Sequence, residues 1–346
     1  MSPPENSAGW RLNGISSDLC HLEGRAPRAT WDDRPLLFIG IALVGVATAL
    51  LWFGADLFVD NASSAGSRLG VTGLAIGILL AGAEPEELIT AVIAAVRGQG
   101  GIAAGDAIGA NITMLTLVVG LAALLSPLPT GGRVRQYLLG ASGLGVVAAL
   151  LVPGGMGTVE GLILVIAYIA AVAFVWMRER RPPAIGELAE LEGDEAGEPG
   201  QLGWRGLALA VAGIGIMAMG GWVAVIGAEN LVEALGVAQS VIGLSIVAMA
   251  TTAELFALAV SAHRRDLSEL AVAGVVGSAG YNATMTLGGA ALAHPLETTG
   301  IAGAAWLAAG LPLLVLALGW RGGRLTRLAA LPLILIYGVY IVVLYT

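Results

Sequence analysis

Apolar residues run along this chain in stretches of about 20 residues, the length an α-helix needs to cross the hydrocarbon core of a bilayer. The stretches fall at 36–59, 71–96, 101–126, 136–153 and 158–177, then at 204–227, 237–262, 268–291, 299–319 and 325–345. The pattern predicts an all-α polytopic membrane protein of ten transmembrane helices. A polar N-terminal tail over 1–35 precedes a first five-helix repeat over 36–177. An acidic linker over 178–203 then leads to a second five-helix repeat over 204–346. The tail holds no apolar segment of the kind found in a cleavable secretory signal, so none is expected.

Arginine placement gives the orientation. Arg68, Arg133, Arg135, Arg178, Arg180, Arg181, Arg205, Arg264, Arg265, Arg321, Arg324 and Arg327 fall on odd-numbered connections, and only Arg97 falls on an even-numbered one. Basic residues concentrate on the cytoplasmic side, so both termini are expected outside, in a multi-pass protein of the plasma (inner) membrane. The tail's Arg11, Arg25, Arg28 and Arg34 run against this, diluted by Glu23, Asp32 and Asp33. Five spans is an odd number, so the second half must cross the membrane in the opposite sense to the first.

The halves also echo each other in sequence. Gly54-Ala55-Asp56 resembles Gly227-Ala228-Glu229, Ile108-Gly109-Ala110 resembles Val276-Gly277-Ser278, and Ser126-Pro127-Leu128 resembles His294-Pro295-Leu296. Inverted repeats are the signature of alternating-access transporters, whose site lies at the repeat interface near the membrane midplane.

Composition narrows this further. The chain is 57% hydrophobic with a mean hydropathy of +0.84, and its 51 glycines suit close helix packing. All 17 basic residues are Arg, and the net charge of -8 comes largely from the tail and the linker, which excludes a nucleic-acid surface. Cys20 is alone, so no intrachain disulfide is possible. The expected partners are the transported cations and the lipid bilayer, with no protein partner and no cofactor.

Two acidic segments interrupt the apolar runs, Gly82-Ala83-Glu84-Pro85-Glu86-Glu87 and Ala250-Thr251-Thr252-Ala253-Glu254. A charge near a transmembrane helix centre costs about 2.5–3.5 kcal/mol on insertion scales, so such acids mark ion, proton or substrate paths. Gly82 and Pro85 break a span and free backbone carbonyls, which are tolerated at that depth where they line a cavity or bind an ion. Glu84 and Glu87 are spaced i,i+3 on one helix face. Calcium takes six to eight oxygens, which suits Glu87 from one half paired with Glu254 from the other. Thr251 and Thr252 add hydroxyls, and Ser278 and Asn282 lie i,i+4 on one face one span later. The matching first-half positions, Ala110 and Met114, offer no oxygen, although Asn111 and Thr113 lie beside them, so the site is expected to be asymmetric. Glu86 reads as facing water at a kink, Asp106 as snorkelling or capping, and Asp56, Asp60, Glu229 and Glu233 as vestibule or solvated groups.

These residues resemble the sodium/calcium exchanger superfamily, whose two inverted repeats carry Gly-Thr-Ser-x-Pro-Glu-Leu followed by Gly-Asp-Ile-Ala-x-Gly-Asn-x-x-Gly-Ser-Asn. Here the first repeat reads Gly82-Ala83-Glu84-Pro85-Glu86-Glu87-Leu88, then Gly101-Ile102-Ala103-Ala104-Gly105-Asp106-Ala107-Ile108-Gly109-Ala110-Asn111. The second reads Ala250-Thr251-Thr252-Ala253-Glu254-Leu255, then Gly274-Val275-Val276-Gly277-Ser278. The resemblance implies ten helices with the second, third, seventh and eighth forming the ion-binding core. It puts Glu87 and Glu254 at the calcium-ligating glutamate positions, and Ser278 and Asn282 at the downstream ligand positions of the second repeat. The chain departs from the motif at Glu84, Glu86, Ala110 and Met114. Hydroxyl and amide ligands used for sodium are lost there, and Glu84 is gained as a candidate proton-coupling group.

The leading expectation is therefore a secondary transporter exchanging a divalent cation, Ca²⁺, for Na⁺ or H⁺ by alternating access, and not an enzyme. The alternative is a degenerate family member acting as a cation channel or a non-transporting membrane regulator. A remote alternative, an intramembrane aspartyl protease built on Asp106, requires a second membrane-embedded aspartate that no other span interior supplies. A zinc protease is excluded by the histidines, since His21, His263 and His294 form no His-Glu-x-x-His arrangement.

Overall fold

Within a bilayer each backbone N–H and C=O must find its partner inside the chain, so the apolar runs close into helices. The computed structural model describes residues 34–68, 84–179, 203–256, 268–320 and 322–346. Expectations for the tail with Cys20, for Gly82 and Ala83, for most of the acidic linker, and for Arg264 and Arg265 lie outside the described residues.

The first half comprises α1 (Arg34–Arg68), α2 (Pro85–Val96), α3 (Gly100–Thr113), a π-helical stretch Met114–Val118, α4 (Val119–Leu125), β1 (Leu128–Pro129), α5 (Gly132–Leu151) and α6 (Thr158–Glu179). The second comprises α7 (Gly203–Leu235), α8 (Gln239–Ile242), a π-helical stretch Gly243–Val247 and α9 (Ala248–Thr251). It continues with α10 (Ser268–Tyr281), a π-helical stretch Asn282–Thr286, α11 (Leu287–Ala293), α12 (Ala302–Gly319), β2 (Arg324–Leu325) and α13 (Arg327–Leu344).

Among the described residues, seven helices are long and apolar enough to cross a membrane, counting Gly100–Leu125 as one. The three other expected spans coincide with interrupted elements. The run 71–96 is described from Glu84, and its helix starts at Pro85, where proline's missing N–H costs nothing. In the run 237–262 the helix breaks at Thr252, whose φ and ψ of -82° and 4° leave the helical region. The run 268–291 continues to Ala293 through a π-helical stretch. The helices α1 and α7 outrun their expected ends at 59 and 227, reaching Arg68 and Leu235, because a helix need not stop where its side chains become polar.

Glycines set the packing. A Cβ at Gly40 would meet Leu231 Cγ at 2.8 Å, and one at Gly54 would meet the Met217 backbone nitrogen at 2.9 Å, so α1 and α7 lie antiparallel at backbone contact. Gly105 faces Ser240, Gly243 and Leu244, while Gly109 faces Leu244 and Ala248, which lays α3 parallel to the segment Gln239–Ala248. Small residues i,i+4 on one face are what allow such approach.

Contacts between the halves recur at a constant spacing. Leu128 pairs with Leu325, and Leu296, 168 positions after Leu128, pairs with Met156. Thr130 donates to the Gly319 carbonyl at 3.2 Å, and Thr298, 168 positions on, donates to the Val152 carbonyl. The π-helical stretches starting at Met114 and Asn282 stand at the same spacing.

Candidate cation-binding site

Pro85 fixes the start of α2 and leaves Glu84 just outside it, with φ -99° and ψ 77°. The Glu84 carbonyl accepts from the Glu87 and Leu88 N–H groups at 3.2 Å each, so the first turn brings Glu84 and Glu87 to one side. Glu84, Glu86 and Glu87 are all buried, with at most 1% exposure. The Glu84 carboxyl lies against Ser278, Glu87 and Asn282. Asn282 Nδ2 donates to Glu84 Oε2 at 3.3 Å, and Asn282 Oδ1 accepts from Thr286 Oγ1 at 2.9 Å. Ser278 Oγ donates to the Gly274 carbonyl at 3.2 Å, the ordinary back-bond of a helical serine, and keeps its lone pairs.

The threonines pack on the other side of the cluster. Thr251 Oγ1 donates to Asp106 Oδ1 at 3.0 Å, bridging the halves, and Thr252 Oγ1 donates to the Ala248 carbonyl at 2.7 Å. Both are buried. Glu84 Oε1, both Glu87 carboxyl oxygens, Asp106 Oδ2 and Glu254 Oε1 are buried without a hydrogen-bond partner. Buried polar atoms are normally satisfied, and an orphaned buried carboxylate is costly, so such a concentration suits a bound cation.

Two expectations are corrected, those for Glu86 and Asp106. The Glu254 carboxyl meets Glu86, while Glu87 neighbours Glu84 and Asp106. Successive helical residues point about 100° apart, so positions 86 and 87 face different neighbours, and Glu254 lies on the side of Glu86. Glu86 is accordingly buried rather than facing water. Asp106 neither snorkels nor caps, being 1% exposed and held by Thr251. Ala110 and Met114 are fully buried, and Asn111 ties α3 to α10 through Nδ2 and the Ala279 carbonyl at 2.9 Å. Among the described residues no three His, Cys, Asp or Glu side chains gather closely enough to hold a metal by themselves. Any cation site must therefore mix carboxylates with hydroxyl, amide and carbonyl oxygens.

Around this centre, Asp56 and Glu233 are exposed, as expected for vestibule groups, whereas the Asp60 side chain lies outside the described residues. Glu229 is not simply solvated. It forms a bidentate ion pair with Arg97, the closest contact 2.8 Å, and accepts from Gln99 at 3.0 Å.

The sequence model of the sodium/calcium exchanger protein family matches residues 39–177 and 205–346, most of the chain. The chain belongs to the sodium/calcium exchanger family. Among its curated relatives, the protein described as an antiporter, CaxA of Alkalimonas amylolytica, is 27% identical over 303 residues, covering 84% of this chain and 93% of CaxA. The inner membrane protein YrbG of Escherichia coli is 28% identical over 272 residues, covering 75% and 82%. In fold, this exchanger-family chain is similar to the sodium-calcium exchanger NCX_Mj soaked with 2.5 mM Na⁺ and 0.1 mM Sr²⁺. That match has a TM-score of 0.57 and 22% identity, and covers 88% of this chain and 99% of the other.

Within the exchanger frame, Asp106 is the residue that sequence reasoning undervalued. A signal was present: Asp106 lies i,i+4 before Ala110 on one helix face, and Ala110 is the counterpart of Ser278. What sequence could not give was Thr251, brought from 145 positions away.

Proposed function

We propose that this exchanger-family protein is a secondary antiporter that moves a divalent cation, Ca²⁺, against Na⁺ by alternating access. The observation that carries the reading is the set of buried, unpartnered carboxyl oxygens on Glu84 and Glu87 from one half, with Glu84 against Ser278 and Asn282 from the other. Two carboxylates, a hydroxyl and an amide are hard donors of the kind calcium selects. Asn282 would turn its amide oxygen toward the ion, exchanging its bond to Glu84 for a metal contact. Thr251, Thr252 and the carbonyls freed at the Thr252 break supply supporting oxygens. Glu254, with Glu86 beside it, extends the acidic lining toward Asp56.

We read the ten expected spans as two inverted five-helix repeats. The support is the constant spacing of cross-half contacts and the antiparallel contact of α1 with α7, the first helix of each half. In an inverted pair the same ligands can face one side and then the other by rocking one set of helices against the rest.

The test is ⁴⁵Ca²⁺ uptake into liposomes holding the purified protein, under an outward Na⁺ gradient and separately an outward H⁺ gradient. Na⁺-driven uptake is expected, and both Glu87→Gln and Glu254→Gln should abolish it while leaving folded protein in the membrane. Uptake driven by H⁺ alone would assign the coupling to Glu84 and remove Na⁺ from the reading. Full activity in both variants would sink the site assignment, and no gradient-driven uptake at all would favour a channel or regulatory member of the family.

A further inference from the structure

Arg97, the one arginine that the sequence places on an even-numbered connection, stands at the turn between α2 and α3. That turn is tight. The N–H groups of Arg97, Gly98 and Gln99 donate to the Ile93, Ala95 and Ala94 carbonyls at 3.0, 2.9 and 2.8 Å, and Gly98 takes a φ of 75°, which favours glycine. Both residues flanking Gly98 reach one carboxylate on α7. Arg97 Nε and Nη2 donate to Glu229 Oε1 at 3.2 and 3.0 Å, Nη2 also donates to Oε2 at 2.8 Å, and Gln99 Nε2 donates to Oε1 at 3.0 Å. The guanidinium carbon lies 4.5 Å from the centre of the Trp222 ring, about two turns earlier on α7. A fork on a carboxylate and a flat face on an indole both call for the planar group of arginine. Nearer the middle of α7, a Cβ at Gly221 would lie 3.1 Å from Thr90 Oγ1 and 3.2 Å from Ile93 Cδ1 of α2. Gly221 brings no side chain to that contact, so the contact fixes no direction.

We propose that Arg97, Gln99 and Glu229 form a latch that fastens the α1–α7 pair to the α2–α3 turn, favouring the conformation described here over the alternative one that exchange requires. For its effect on transport the inference rests on the antiport reading above. The two sides of the latch belong to different bodies. α2 and α3 carry Glu87 and Asp106, so the turn between them travels with the acidic site. Glu229 travels with α7, which is joined to α1 at backbone contact through Gly40, Gly54, Gly213 and Gly227. When one set of helices rocks against the rest, the contact at Gly221 can slide, but the four hydrogen bonds on Glu229 must break together. The strength suits a latch that opens in every cycle. The two partners are 25% and 29% exposed, so water and salt compete for them. A fully buried pair would leave an uncompensated charge on opening and hold the protein in one state.

Thr90, buried beneath α7 at Gly221, reports whether the interface opens. The experiment uses the full chain with Cys20→Ser in nanodiscs, free of Na⁺ and Ca²⁺, and follows maleimide labelling of Thr90→Cys. Ser142→Cys is the control, since Ser142 is buried where α5 meets α12 and donates to the Ala309 carbonyl at 2.8 Å. Arg97→Met and Glu229→Gln are each expected to raise the labelling rate of Thr90→Cys about 2–5-fold, the population change that a part-exposed ion pair controls. Neither should change the rate of Ser142→Cys, and the double variant should match the single ones. In the otherwise unchanged protein, added choline chloride should raise the Thr90→Cys rate toward that of the variants, which should not respond. In right-side-out and inside-out vesicles, Arg97→Met should shift the half-maximal Ca²⁺ concentration by a similar factor but in opposite directions on the two faces, because one equilibrium serves both. Unchanged labelling of Thr90→Cys in both variants overturns the latch. So does an equal rise at Ser142→Cys, or a shift in the same direction on both faces, because a general packing defect would produce either. If the wild type shows no Na⁺-driven uptake, the antiport reading fails, and the labelling rates still decide the latch.

Discussion

Neighbouring carboxylates in this protein meet different fates, and burial and partner decide which. Glu229 sits beside Arg97, whose guanidinium forks onto both carboxyl oxygens and stacks 4.5 Å from the centre of the Trp222 ring. Both partners remain a quarter or more exposed, at 25% and 29%, so solvent screens the pair and its coupling is expected to be about 0.5–1 kcal/mol. A double-mutant cycle of Arg97→Met and Glu229→Gln on thermal stability measures it. Arg97→Lys should lose most of that coupling, because lysine keeps the charge but neither the fork nor the flat stacking face. Glu87, by contrast, has no such partner and lies among other acids. The acidic segment announced three candidate glutamates, but only the start of α2 at Pro85 decides that Glu84 and Glu87 share one side while Glu86 turns to Glu254.

At the scale of elements, the Gly-rich stretch 101–109 is legible as a packing surface but not as a partner. Glycines recurring every four residues, at Gly101, Gly105 and Gly109, predict a close helix contact, and the structure supplies the segment Gln239–Ala248 as the other side. A Cβ at Gly109 would lie 2.5 Å from the Leu244 carbonyl oxygen, and one at Gly105 would lie 2.9 Å from the Leu244 nitrogen. These obstacles are backbone atoms, which cannot rotate away. Gly109→Val is therefore expected to destabilise by about 1–3 kcal/mol or more, the usual cost of overpacking a tight interface. The loss should appear as a lower Tm and reduced recovery of monodisperse protein in size-exclusion chromatography. Gly143 has nothing within 4 Å of its Cβ position, so Gly143→Ala should leave both measures unchanged.

For the whole molecule, orientation is the expectation most open to a direct test. The arginines on odd-numbered connections would put both termini outside, and the single cysteine, Cys20, lies in the N-terminal tail. A membrane-impermeant maleimide is expected to label Cys20 in intact cells or spheroplasts without permeabilisation. Labelling only after permeabilisation would reverse the assigned orientation. The same expectation would place the acidic linker in the cytoplasm, so a protease added outside should leave that linker intact.

The sequence by itself determined the membrane class and singled out the two acidic segments. Each of these is written in local order: apolar run length sets a helix long enough to span, Pro85 sets a helix start, and acids inside apolar runs mark a candidate site. The tertiary structure alone decided which acids meet. Pairing Thr251 with Asp106, Asn282 with Glu84 and Glu254 with Glu86 depends on how α2, α3 and the segments after α7 and α9 approach one another. That approach is governed by backbone contact at glycines, and a glycine carries no side chain to name its partner. A rotation of about 100° per residue around α2 is enough to exchange one glutamate for the next, and only packing against the rest of the chain fixes that angle.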